Sequence, residues 1–465
     1  MTVRLGKTTG RKARSTPIFC IDREGFAAAA ATLDPLAAGW LKTTGFNGSA
    51  DTHALLPAAD GGLAAVWAGV RSTSDPWALA LLPKALPAGL YHLAEGGCAI
   101  DPLHAAFSWE LGGYTFDTYK AAKREPAELT LPLSAAARRG LILASAVAAT
   151  RDLVNTPAEH LGPAALAEAV RLVAGQHAAS FKQTVGDALL KARFPAIHAV
   201  GRAAEPSRAP RLIELTWGKP KHPLVTLVGK GVCFDTGGLD IKGAEGMRQM
   251  KKDMGGAANA LGLAQMIMAL KLPVRLQLLI AAVENSISGS AYRPGDVFKT
   301  RAGIHIEIGN TDAEGRVILC DALAYGAEAQ PALMIDMATL TGAARVALGP
   351  QLPALFTRSM AQARELVDLG FALQDPLWHM PLWAPYHANI ESDIADIVNT
   401  GRNGMAGAVT AALFLDDFVP TGQDWMHIDL FAWNDGNRPG RPQGGEAQTL
   451  RTLLAYLEKR FGAGE

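Results

Sequence analysis

The chain has 465 residues, 49% of them hydrophobic and 19% charged, which is too long for one ordinary core and too apolar for a disordered chain. Its 44 lysines and arginines balance 44 aspartates and glutamates, so no broad basic field points to nucleic acid or to anionic lipid. Cys20, Cys98, Cys233 and Cys320 are far apart and form no CxxC pair, as expected of isolated thiols in a reducing cytoplasm.

In chain order, Lys7, Arg11, Lys12 and Arg14 give a positive start, but the apolar segment and cleavage site of a secretory leader do not follow. Across residues 1–132 short apolar runs are broken by the turn signals "NGSAD", "PAADGG" and "LPAG", which predicts a smaller N-terminal α/β domain. Ala27 to Ala31 reads as helix interior on propensity grounds. "LSAAARRGLILASAVAATRDLVN" has apolar residues at helical spacing and predicts a linking helix over 133–150.

From 151 to 465 the apolar runs "LVTLVG", "RLQLLIAAV", "IHIEIG" and "LMIDMATL" alternate with helical patterns. Strands interleaved with helices predict an α/β fold: a catalytic domain with a central mixed, largely parallel sheet flanked by helices, and ligands at the strand ends. The apolar stretch "ALGLAQMIMAL" is too short to span a bilayer, so no membrane role is expected.

The chemistry is concentrated in two stretches. In "NTDAEGRV" (310–317), Asp312 and Glu314 stand two residues apart. Residues so spaced share a face of an extended segment, so these carboxylates are expected to converge after the strand "IHIEIG" and to need a cation. Upstream, "GKGVCFDTGGLDIKGAEGMRQMKKDMGGAAN" supplies Lys230, Asp235, Lys242 and Asp253 in one glycine-rich loop. Three aspartates and a glutamate offer oxygen donors for two divalent metals, a centre suited to hydrolysis because it can polarise a carbonyl and acidify a water. A lysine can join such a set only after losing its proton, which nearby cations favour. On the residues alone, a solvated loop with ordinary ion pairs stays open.

Competing motifs are weak. "GKGVCF" lacks the third glycine of a dinucleotide loop, Lys230 comes too early for a phosphate-binding P-loop, and neither HExxH nor GxSxG occurs. His427, inside the apolar run "WMHIDLFAW", reads as a hydrogen-bonded core histidine rather than a ligand. "RVILCDALAYGAEA" looks helical, so Arg316 lies near a helix N-terminus, where the dipole and free amides favour an anion.

Taken together, "VGKGVCFDTGG", "MKKDMGGAAN" and "NTDAEGR" closely resemble the motifs of the leucyl aminopeptidase family, and "RDLVNTPAEHLGP", "MIDMATLTGAARVALG" and "GAVTAALFL" extend the likeness from Arg151 to the C-terminus. The resemblance implies a metal-dependent aminopeptidase that removes the N-terminal residue from peptides with a free N-terminus. It implies two divalent metal ions per subunit, Mn²⁺ or Zn²⁺. One would be held by Asp235, Asp312 (with its backbone carbonyl) and Glu314, the other by Lys230, Asp235, Asp253 and Glu314. Lys242 matches the family's catalytic lysine, and Arg316 its catalytic arginine, which holds a bicarbonate ion that could act as general base. The family's homohexameric assembly, with active sites facing an interior cavity, is implied in the same way.

The substrate-binding residues implied are Met250, Asn310, Thr339, Leu340, Gly342 and Phe431. Here the chain departs from the leucine-preferring pattern: "HID" is followed by "LFAWN", with Phe431 in the place of a small alanine and Asn434 in that of a methionine. A ring there is expected to fill pocket volume and weaken the preference for large side chains, unless it turns into the core instead. Two other readings stand beside it, a dinuclear phosphoesterase and a non-catalytic binding or regulatory protein on the same scaffold, the latter favoured by loss of a ligand. All the ligand and catalytic residues are present.

Overall fold

The computed structural model describes residues 2–6 and 15–462; Lys7, Arg11, Lys12 and Arg14 lie outside them. The chain forms two compact units. The first takes residues 1–148 together with 436–443, and the second takes 149–435 and 444–465. The linking helix is Ala135–Asn155, five residues longer at its C-terminal end than the sequence pattern placed it, and the chain passes from one unit to the other within it. The return of 436–443 to the first unit is a difference from the expected division at 132 and 150, and no periodicity in so short a segment could have signalled it.

In the first unit a six-stranded sheet runs in the order Val3–Leu5, Glu128–Leu131, Leu90–Leu93, Thr16–Ile21, Leu63–Gly69, His53–Pro57. All neighbours are parallel except the last pair, which "PAADGG" joins as a hairpin. The alanine run lies in the helix Phe26–Ala30.

The second unit is built on an eight-stranded sheet. Its order is Trp378–His379, Ala354–Thr357, Trp425–Asp429, Leu333–Ala338, Leu224–Asp235, Arg275–Asn285, Arg211–Trp217, Ser180–Val185. The four central strands, from Trp425–Asp429 to Arg275–Asn285, run parallel, and antiparallel pairs flank them. The 224–235 strand is buried along almost its whole length, as a parallel strand covered on both faces must be. The helix Gly255–Ala269 buries nearly every position, so it reads as apolar all round rather than as an amphipathic stripe. "IHIEIG" contributes only His305–Glu307, in a separate three-stranded sheet. Among the described residues no helix is long and apolar enough to cross a membrane.

The Gly255–Ala269 helix lies very close to the sheet. A Cβ on Gly256 would overlap the Met337 carbonyl oxygen and come 2.7 Å from Ala338 Cα, both backbone atoms of the 333–338 strand that cannot swing aside. Gly256→Ala should therefore lower stability by about 1–3 kcal/mol, the usual cost of overpacking. Gly246→Ala, with nothing within 4 Å of the added atom, should leave the chemical unfolding midpoint in place. Equal midpoints for the two variants would show that the helix and sheet can separate at no cost.

Candidate metal centre

In an open α/β sheet, side chains that leave the C-terminal ends of parallel strands converge on one crevice. Four parallel strands deliver Asp235, Asn285, Thr339 and Asp429 to such an edge. Lys230 lies five residues before Asp235 on the same strand, so strict alternation would turn them to opposite faces. A β-bulge prevents this: Val232 pairs with Val283 and Phe234 with Glu284, leaving Cys233 as an extra residue that resets the alternation. Lys230 and Asp235 consequently both line one cleft of about 630 Å³.

Asp312 and Glu314 converge for a reason other than the one their spacing suggested. They are not on a strand: Asp312 lies in a turn, and Glu314 is the first residue of the helix Glu314–Glu328. Asn310 builds that turn by accepting a 2.7 Å hydrogen bond from the Asp312 amide. Its side-chain oxygen is thereby turned toward the backbone of the turn that carries Asp312. Gly315 has its own function, since a Cβ there would come 2.6 Å from Lys230 Cε.

One ligand atom from each of Asp235, Asp312 and Glu314 lies within 4.8 Å of the others. Lys230 Nζ is 2.9 Å from both Asp253 Oδ2 and Glu314 Oε1, and donates to the Thr339 carbonyl at 2.8 Å. Lys242 Nζ is 2.8 Å from Asp235 Oδ2 and makes a short contact with Asp312. Lys230, Asp235, Asp253 and Glu314 are each no more than 3% exposed. Four carboxylates face two ammonium groups, so full ionisation leaves two formal negative charges in a dry site. Burial, aided by Asp253, pushes Asp235 up to about 6, and burial, aided by Asp235, pushes Glu314 up to about 7. For Asp253 burial acts upward too, but Lys230 and Lys252 outweigh it and hold this carboxyl below its ordinary value. Its Oδ2 rests against Lys230 Nζ and its Oδ1 accepts from the Thr339 hydroxyl. A cation would satisfy each of these groups.

Residues the sequence did not single out hold the carboxylates in place. Asn285 Nδ2 donates to Asp235 Oδ1 and to the Thr311 carbonyl, the Tyr292 hydroxyl donates to the same carbonyl, and Asp240 accepts from the Thr311 amide. Asn285 ends a strand whose residues 278–283 are all apolar, a signal that the sequence did carry. Of the expected substrate-binding residues, Met250, Thr339, Leu340, Gly342 and Phe431 line the cleft. Arg316 stands behind this wall, 8% exposed, with Nε unpartnered. Burial lowers its guanidinium to about 10, against the pull of Glu314 and Asp429. His427 is fully buried and donates from Nδ1 to Asp336 at 2.6 Å, as a core histidine does.

Residues 148–454 match the family described as "Cytosol aminopeptidase family, catalytic domain", and residues 16–132 match "M17 aminopeptidase, N-terminal domain". A probable cytosol aminopeptidase of Roseiflexus castenholzii is 44% identical over 368 residues, 75% of this chain and 74% of that protein. The crystal structure of a cytosol aminopeptidase from Coxiella burnetii superposes with a TM-score of 0.93 at 47% identity, covering 99% of both chains. The bottromycin maturation enzyme BotP, in complex with Mn, superposes with a TM-score of 0.86 at 31% identity, covering 96% of this chain and 99% of its own. The chain belongs to the cytosol aminopeptidase family, the leucyl aminopeptidases, and is a metal-dependent hydrolase acting on the N-terminal residues of peptides.

Because Glu314 is raised when folded, its ionisation opposes folding: in metal-free protein the stability it contributes is present at acid pH and is lost as pH rises from the ordinary glutamate range to about 7. Glu314→Gln mimics the neutral form. In chelator at pH 8 it should unfold within about 1 kcal/mol of wild type or above it, while Mn²⁺ affinity by calorimetry falls about tenfold or more. Unchanged Mn²⁺ affinity would remove Glu314 from the ligand set.

Proposed function

We propose that this aminopeptidase works through two divalent cations held by five side chains of the cleft. Asp235, Asp312 (with its backbone carbonyl) and Glu314 would hold one, and Lys230, Asp235, Asp253 and Glu314 the other. The observation that carries this reading is the donor set itself: three carboxylates within 4.8 Å, and a fourth, the buried Asp253, tied to Glu314 through Lys230. Bound there, the cations would polarise the substrate carbonyl and acidify a water. Oxygen donors suit Mn²⁺ and the lysine nitrogen suits Zn²⁺; the manganese in the BotP complex makes Mn²⁺ the first to test.

The remaining work falls to side chains of the chain. Lys242 is the more exposed of the two ammonium groups, at 16% against 3% for Lys230, and would donate to the carbonyl oxygen as negative charge develops on it. Arg316 would hold bicarbonate, a reading supported by its burial and its unpartnered Nε. That anion would supply the base that the cleft, without a histidine in its lining, otherwise lacks. Met250, Thr339, Leu340, Gly342 and Phe431 would enclose the side chain of the departing residue, and Thr339 also fixes Asp253 through its hydroxyl at 2.8 Å. The resemblance supports a homohexamer in the cytoplasm.

The test is a panel of aminoacyl arylamides and one phosphodiester, assayed with and without Mn²⁺ or Zn²⁺, beside metal analysis and light scattering. Metal-loaded protein should carry two ions per chain, cleave only the aminoacyl substrates and lose activity in chelator. Lys242→Ala and Arg316→Ala should each lower kcat about a hundredfold or more, as loss of a transition-state donor does, with two ions still bound. If both variants lose metal instead, their roles are misassigned.

A further inference from the structure

We infer that the cleft wall beside Asp253 is built to take a carboxylate, so that Lys252 and Arg345 recognise the side chain of an N-terminal glutamate or aspartate. This rests on the aminopeptidase reading, in which the free amine of the substrate lies at the carboxylate cluster. Lys252 is the neighbour of Asp253 in the chain, and both line the cleft, so the side chain of the first residue is the part of the substrate that would meet this wall.

The ring of Phe431 lies in that wall. Lys252 Nζ is 4.6 Å from the ring centroid and the Arg345 guanidinium carbon 4.7 Å. The two cations therefore meet at one aromatic group. Lys252 is only 4% exposed, whereas Arg345 reaches in from the exposed rim on the helix Gly342–Leu348. Among the described residues neither side chain makes a hydrogen bond or an ion pair, and the carboxylates whose charge reaches Lys252 are Asp253 and Asp429. Asp253 is held by Lys230 and by the Thr339 hydroxyl. Asp429 accepts from the Leu340 and Thr341 amides and from the Thr341 hydroxyl, and Asp435 and Glu245, which also line the cleft, form no ion pair.

Packing alone does not account for this. The ring offsets part of the cost of burying Lys252, but its nearest carboxylate, Asp253, is already held by Lys230, so an ammonium there is costly unless a further anion is supplied. A planar guanidinium and a lysine facing the same space suit a carboxylate, which can accept from both. The ring also narrows the pocket, which disfavours leucine on volume grounds.

The carboxylate could come from the side chain of the first residue or from the C-terminus of a short peptide, and the substrates can be chosen to separate the two. Arylamides have no C-terminal carboxylate. With Mn²⁺-loaded full-length protein, kcat/KM should be about tenfold or more higher for the glutamyl than for the glutaminyl p-nitroanilide, the scale of a hydrogen bond to a charged group. Lys252→Met and Arg345→Gln should each bring the Glu:Gln ratio toward one, and Lys252→Arg should keep it. Arg345→Gln is distant in sequence from every proposed ligand, so it reports on recognition even if Lys252→Met disturbs the metal centre. A wild-type ratio at or below one, with leucyl p-nitroanilide still cleaved, overturns the inference and leaves the aminopeptidase reading intact. If the ratio is near one and the same variants instead abolish a preference for Leu-Gly over Leu-Gly-amide, the carboxylate recognised is the C-terminal one and the inference is overturned in that form. No turnover of any arylamide overturns both.

Discussion

The arrangement of the second unit depends on holding four carboxylates together where there is little water. Asp235, Asp253 and Glu314 are nearly fully buried and Asp312 closes the set from its open side. Their mutual repulsion in a low-dielectric site would push the chain apart unless the backbone left no alternative. Lys230 and Lys242 offset part of it, and the rest appears in the raised Asp235 and Glu314. Without cations the field of the cluster also raises both lysines above their ordinary range, although burial alone would lower them. Divalent ions reverse the sign of that field. With such ions bound, a lysine that holds its proton in the metal-free protein could release it, as the proposed ligation by Lys230 would require.

Rigidity comes from close packing rather than from the charges. The Gly255–Ala269 helix starts two residues after Asp253 and lies against the backbone of the 333–338 strand at Gly256. Contact so close fixes Asp253 relative to Thr339, which follows that strand and hydrogen-bonds to it. Gly315 does the same at the other end of the cluster, letting the helix that begins with Glu314 approach Lys230. Both glycines lie inside short motifs, "DMGGAAN" and "AEGR", that also carry an acidic residue of the cluster, so these motifs encode distances as well as charge.

Much of this was legible in the sequence, and what was not has identifiable causes. Alternation of apolar runs with helical patterns gave the α/β class, and the acidic residues of two separated motifs gave the cluster. The spacing of Asp312 and Glu314 suggested the right outcome through the wrong geometry, because a turn capped by Asn310 does what strand alternation was expected to do. The bulge at Cys233 is invisible in a run of apolar residues, yet it alone brings Lys230 and Asp235 to one side. The hydrogen bond from the Asp312 amide to Asn310 has no signal in the sequence, where Asn310 looks like any polar residue beside an acidic pair. Lys252 went unremarked inside "MKKDMGG", where adjacent lysines read as solvated, and only the fold buries one of them.

The cleft therefore carries two charge fields within one lining. Its floor is anionic and calls for cations and for an amine; the wall formed by Lys252 and Arg345 is cationic and forms no ion pair among the described residues. The two are not independent, since Lys252 is bonded through the backbone to Asp253 and helps keep that carboxyl ionised against its burial. A lysine at this position thus acts on both sides: its positive charge favours the ionised ligand oxygen, and its ammonium faces the space next to it. An apolar residue there would remove both effects together. The chain's zero formal net charge conceals this separation, for it is the placement of opposite charges on adjoining walls, and not their sum, that orients a substrate bearing an amine and a carboxylate a few bonds apart.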